Sequence, residues 1–132
     1  MAGSRDTATE IDTPHSDGIS LGRLRARRDF VRLTRHGANW ATKGLVLQIA
    51  HQPKGLDDNR PRVGFTASKK VGNAVERNRV KRRLRSLAQL VLSQQAKPSL
   101  DYVLIGRHTT LTRPWPKLVE DLETALARIR MD

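Results

Sequence analysis

The sequence predicts an α+β fold, a small sheet packed with helices, and three observations carry that prediction. Apolar side chains alternate with a period of two around Leu47 and again around Leu104, the pattern of strands. Val80, Leu84, Leu87 and Val91 recur at steps of four, three and four, the spacing of an amphipathic helix. These signals interleave along the chain in the order α-β-β-β-α-β-α, so helices and strands must share one core. At 132 residues the chain is the size of one domain with one modest core.

Residues 1–20 are polar and have no periodic apolar positions. They read as a disordered leader ahead of a single domain over residues 21–132. Arg5 set against Asp6, Glu10, Asp12 and Asp17 gives the leader −3, which leaves +15 on the domain out of the chain total of +12. Such an acidic extension either competes weakly for a polyanion bound to the domain or is dispensable. The folded part begins near Gly22. Arg27-Arg28-Asp29-Phe30 opens a short helix, which Gly37 stops near His36. Phe30 and Leu33 share one face at a spacing of three, where both read as core.

An extended pattern runs from residue 39 to residue 50. Leu45, Leu47 and Ile49 point one way, Val46, Gln48 and Ala50 the other, and Trp40 precedes them at an end of the sheet. Pro53, Gly55, Asp57, Asp58, Asn59 and Pro61 mark a hairpin-like loop. The next strand covers residues 62–67. Val63 and Phe65 are expected in the core, and Arg62, Gly64 and Thr66 outside it or in a groove. Gly64 would let another backbone come close.

Residues 68–73 turn the chain into a long helix, with Gly72 for an unusual backbone angle and Asn73 as N-cap. Lys69 and Lys70 beside a helix N-terminus favour a phosphate, although the glycine spacing and Gly-Lys-Ser/Thr ending of a P-loop are absent. The helix is expected from residue 74 to residue 94 or 95, broken at Lys97-Pro98-Ser99. A buried strand follows, with Tyr102, Leu104 and Gly106 on one side and Val103 and Ile105 on the other. After a loop over residues 109–115, Pro116 suits the first turn of a last helix. Leu118, Val119, Leu122, Leu126 and Ile129 form its apolar face. Glu120, Asp121 and Glu123 lie early in it and Arg128 and Arg130 late, in agreement with the helix dipole.

Charge narrows the function. The isoelectric point of about 11.4 points first to nucleic acid and second to an anionic membrane surface. The long helix holds Arg77, Arg79, Lys81, Arg82, Arg83 and Arg85 with a single carboxylate, Glu76, among them. An ordinary solvated helix face mixes signs, so this one calls for a polyanion. At about 100° per residue, Asn78, Lys81, Arg82 and Arg85 form one coherent face with Arg77 at its edge. Arg79 and Arg83 lie on the other flank, where they meet a second partner or are solvated. No apolar run approaches the ~20 residues of a bilayer span, and no basic start followed by an apolar core marks a signal peptide. The apolar face of the basic helix is needed for the core, which argues against a membrane-surface role. With no Cys, disulfides, thiol catalysis and Cys-based metal sites are excluded. His15, His36, His51 and His108 lack ligand spacing, and Glu76 and Asp101 are single carboxylates, so no catalytic set is expected.

The run Ser68-Lys69-Lys70-Val71-Gly72-Asn73-Ala74-Val75-Glu76-Arg77-Asn78-Arg79-Val80-Lys81-Arg82 closely resembles the signature of the bacterial ribonuclease P protein component, and the resemblance extends from about Gly22 to about Arg130. It implies the same element order with an unusual left-handed βαβ crossover around the basic helix. It implies a cytoplasmic bacterial ribonucleoprotein that removes the 5′ leader of precursor tRNA by hydrolysis, with catalysis and most of the Mg2+ on the RNA subunit. The protein then binds that RNA and the leader and lowers the magnesium requirement, with no small-molecule substrate and no catalytic residue of its own. Position by position, Lys69, Lys70, Arg77, Asn78, Arg79, Lys81, Arg82 and Arg85 carry the family's RNA-binding motif. Arg77, Arg79, Lys81, Arg82 and Arg85 would contact the catalytic RNA through phosphates, Asn78 would lie near the junction of leader and tRNA, and Phe30 would line the leader cleft. Thr34 and Gln48 stand where many members carry cleft aromatics, which would weaken stacking on the leader. The alternative from another class is a general structural RNA binder, ribosomal or chaperone-like.

Overall fold

The structure is a computed structural model, and it describes residues 18–130. Most of the expected leader lies outside the described residues. The chain is docked from Ile19 onward, where the backbone N–H donates to the Ser93 carbonyl.

The elements are β1 (Gly22–Arg23), α1 (Arg27–His36), β2 (Ala38–Ala41), β3 (Leu45–His51), β4 (Arg62–Thr66), α2 (Ala74–Gln95), β5 (Leu100–Gly106) and α3 (Trp115–Arg128). Short 3-10 turns stand at Lys69–Val71 and His108–Leu111. The order expected from the sequence is present, with one addition. The two-residue strand β1 is too short to show any alternation. The sheet runs β1-β4-β5-β3-β2. β1, β4 and β5 are mutually parallel, and β5-β3 and β3-β2 are antiparallel. α2 is thus the crossover between two adjacent parallel strands.

Period-two alternation makes the sheet two-sided. Leu45, Leu47, Ile49, Val63, Tyr102 and Leu104 face α2 and α3 and meet Val80, Leu84, Leu87, Val91, Leu118 and Leu122 in the main core. Each such aliphatic residue, fully buried, contributes about 1.5–3 kcal/mol. Ala50 and Val103 point the other way, against Leu24 and Leu33, with Phe30 and Ile105 partly buried beside them. Three layers result, α1 on one face of the sheet and α2 with α3 on the other.

A buried ionic cluster fastens α1. Asp101 of β5 is fully buried. Its carboxylate accepts from Arg62 of β4 through Nε at 2.8 Å and Nη2 at 2.7 Å, and also from Arg32 of α1. Asp29 accepts from Arg32 at 3.1 Å and lies 3.6 Å from Arg62, so two cations meet two carboxylates. Arg32 also donates to the His51 carbonyl at 2.7 Å. The hydrogen bond to Asp101, together with the carboxylates around it, outweighs burial and raises the pKa of Arg62. Arg62 therefore does not face outward, and Asp101 is no isolated carboxylate.

On the other face, Arg83 binds α2 to the segment after β5. It donates to the carbonyls of Thr110 at 2.6 Å, Leu111 at 3.1 Å and Arg113 at 2.7 Å, and its guanidinium lies 5.9 Å from the Trp115 ring centroid. The sequence reading left Arg83 solvated or facing a second partner. It is neither, because three orphan carbonyls of the 108–113 turn need a donor.

Candidate RNA-binding site

The entry into α2 is built to leave cations free. Asn73 caps the helix. Its side chain accepts from the Glu76 N–H at 2.8 Å, and Glu76 accepts in return from the Asn73 N–H at 3.0 Å. Gly72 has φ 155°, and a Cβ there would collide with the Glu76 carboxylate, so the turn requires glycine. Arg77 tightens the turn by donating to the Gly72 carbonyl at 3.0 Å. The one carboxylate in this stretch is therefore committed to the cap and does not pair with the basic residues that follow.

Lys69, Lys70, Asn78, Arg79 and Arg82 are exposed, and Lys81 is half-buried. Among the described residues none of their side chains has a hydrogen bond or an ion pair. Arg85 is exposed, with its guanidinium 5.7 Å from the Phe65 ring centroid. Of the eight residues singled out from the sequence, six are cations left unneutralised among the described residues, on and before the first half of α2, and Asn78 stands exposed among them. Arg77 serves the turn as well. The two flanks of the helix differ: Arg85 leans toward the β4 edge, whereas Arg83, on the flank of Arg79, is occupied by carbonyls.

On the opposite sheet face, Phe30 lies on Gly64. A Cβ at Gly64 would stand 2.7 Å from Cε1 and Cζ of the ring. Gly64 thus admits a side chain, not the backbone expected from the sequence. Phe30 and Val31, with Arg27, Thr34 and Arg35, line an open depression of about 350 Å³. Thr34 is on its wall. Gln48 is buried and contributes nothing to its lining. β4 touches both surfaces, since Gly64 and Phe65 point to opposite faces. Phe65, expected in the core, is only partly buried and carries Arg23 on its ring at 5.6 Å as well as Arg85. Arg23 was not singled out from the sequence, because one arginine beside a two-residue strand gives no periodic signal.

Among the described residues no group of three or more His, Asp or Glu side chains stands together to hold a metal ion. The buried carboxylates are engaged, Asp29 and Asp101 by Arg32 and Arg62, and Asp121 by Arg113 at 2.6 Å and 3.1 Å. No helix among these residues is long and apolar enough to cross a membrane.

A small α+β domain with a cationic helix face free of neighbouring carboxylates has the features of the class of RNA-binding proteins. Comparison with known proteins narrows that class. The Ribonuclease P family pattern matches residues 21–130. A ribonuclease P protein component from Caulobacter vibrioides is 46% identical over 121 residues, covering 92% of this chain and 78% of its own length. One from Paramagnetospirillum magneticum is 48% identical over 110 residues, 83% of each chain. The solved structure of the RNase P protein from Thermotoga maritima superposes with a TM-score of 0.67 at 26% identity, covering 83% of this chain and 98% of that one. The Staphylococcus aureus RNase P protein gives 0.63 at 28% identity, covering 80% and 92%. The chain belongs to the ribonuclease P protein component family, the protein subunits of a ribonucleoprotein endoribonuclease of tRNA processing.

Proposed function

We propose that this chain binds the RNA subunit of ribonuclease P through Lys69, Lys70, Arg77, Arg79, Lys81, Arg82 and Arg85, and the 5′ leader of precursor tRNA through the depression beside Phe30. Asn78, a neutral donor and acceptor among cations, fits the junction of leader and tRNA. The observation that carries the reading is the unneutralised face of α2, whose one carboxylate is held by the cap. Phosphates complete such a face, and each one neutralised releases counterions. In this reading the Mg2+ chemistry falls to the RNA subunit, and among the described residues no group of three or more carboxylates stands together to compete for the ion. The protein's part is to hold both RNAs and screen their repulsion, which lowers the magnesium requirement. The holoenzyme acts in the bacterial cytoplasm.

The test is leader cleavage at low magnesium with a bacterial ribonuclease P RNA and precursor tRNA. Cleavage should rise well above RNA alone, with none from protein alone. Binding to the RNA without any rise in cleavage would leave only a general structural RNA binder.

Arg27 and Arg35 flank Phe30 and Val31 in the depression, which suits a base on the apolar floor with phosphates at either side. Phe30→Leu keeps an apolar group on Gly64 and removes the aromatic stack. Loss of one base stack costs roughly 1–3 kcal/mol. Affinity for leader-bearing tRNA should fall accordingly, with affinity for mature tRNA unchanged in the same holoenzyme. An equal loss for both substrates would remove Phe30 from the leader site.

A further inference from the structure

We propose that Arg23 and Arg85, both held on the ring of Phe65, bind one RNA phosphate between them and so carry the RNA-binding surface from α2 onto the edge of the sheet. The inference rests on the reading of α2 above and adds to its Arg85 a second arginine and a ring, from β1 and β4.

Arg23 is placed by the backbone. Gly22 donates to the Pro61 carbonyl at 2.7 Å and Leu24 to the Val63 carbonyl at 3.0 Å, so bonds on both sides fix β1 beside β4. Arg23 is opposite Val63, two residues before Phe65, which puts its side chain on the α2 side of the sheet. Its guanidinium carbon lies 5.6 Å from the Phe65 centroid, and that of Arg85 lies 5.7 Å from the same point. A ring face attracts each guanidinium, but it neutralises neither. Among the described residues neither guanidinium has a hydrogen bond or an ion pair. Burial, then the nearby Arg85 and Arg25, lower the pKa of Arg23, as expected of a cation held among cations.

Arg23 and Arg85 stand against the same ring, close enough for the charge of Arg85 to act on Arg23. A single tetrahedral anion would answer both, since guanidinium binds phosphate oxygens in pairs. The site is continuous with Lys81, one turn earlier on the same helix. A phosphate there would join one RNA backbone path running along α2 and past the end of β4.

The test is binding to ribonuclease P RNA as a function of salt, for the full chain and for Arg23→Ala, Arg85→Ala and the double variant. One lost phosphate contact lowers the slope of log K against log salt by about 0.7–0.9, close to fivefold in affinity at 0.15 M salt. Each single variant should lose about that much, and the double variant little more, with its slope reduced by one phosphate. Arg23→Lys keeps the charge but not the fork, and should fall between wild type and Arg23→Ala. It also serves as the measured variant if Arg23→Ala melts earlier than wild type. Losses that multiply to about 25-fold with a slope lower by two phosphates would make these independent contacts and overturn the shared site. Unchanged affinity in Arg23→Ala, or in Arg23→Lys where that is the variant measured, would also overturn it. Failure of the wild-type chain to bind this RNA at all would overturn the reading of α2 instead.

Discussion

Reversing Lys81 and Arg82 to glutamate is expected to abolish specific RNA binding and leave the fold intact. The change moves the α2 face by four charge units. Each phosphate contact contributes about 0.7–0.9 to the salt slope, so two lost contacts and two new repulsions amount to at least about a hundredfold at 0.15 M salt. The fold has little stake in either side chain. Arg82 is exposed, Lys81 is half-buried, and neither has a hydrogen bond or an ion pair among the described residues. Surface substitutions of this kind usually stay within about ±0.5 kcal/mol. Unfolding midpoints by circular dichroism should match wild type while a filter or fluorescence binding assay shows the loss. Unchanged affinity would show that the RNA docks elsewhere.

The largest stability effect is expected at Asp101. Replacing it by alanine leaves Arg32 and Arg62 with Asp29 as their one remaining carboxylate among the described residues and removes the centre of a cluster joining α1, β4 and β5. Breaking a buried pair by deleting one partner costs about 3–5 kcal/mol. The lower end applies here, because both arginine side chains are 21% exposed and water can partly solvate them. Even about 3 kcal/mol is a large share of the 5–15 kcal/mol that typically holds a domain. Urea unfolding should show a clear fall in midpoint. Because the cluster holds α1, leader discrimination should weaken at temperatures where binding of the RNA subunit through α2 survives. A loss below about 1 kcal/mol would mean that water compensates the arginines and that α1 is held by Leu24, Leu33 and Phe30 alone.

Most short stretches of chain that carried their own physical signal agree with the structure. The exception is the loop over residues 52–61, expected to be hairpin-like, because β5 lies between β3 and β4 and the two strands it joins do not pair. Asn73, Glu76 and Gly72 specify the start of α2 within five residues, since capping is local chemistry. The spacing of Val80, Leu84, Leu87 and Val91 identified its buried face, and the alternation in β3 and β5 placed both sides of the sheet correctly. The side-chain errors share one cause. Periodicity tells which way a side chain leaves its own element, but not what stands there. Arg83 was left free on an outer flank, yet the 108–113 turn supplies three carbonyls to it. Phe65 was placed in the core, yet it stands at an edge where β1 and α2 bring an arginine each.

By itself, then, the sequence determined the elements other than β1, the faces of α2 and the excess of positive charge that no neighbouring carboxylate cancels. Those properties depend on residues a few positions apart. Only the tertiary structure decided which arginines remain available. Arg32 and Asp101 are 69 residues apart along the chain and in contact in the fold. Arg62 meets the same carboxylate only because β4 and β5 lie side by side. Charge is additive along a sequence, but its neutralisation depends on distance in space, so free and committed cations separate only once the chain has folded.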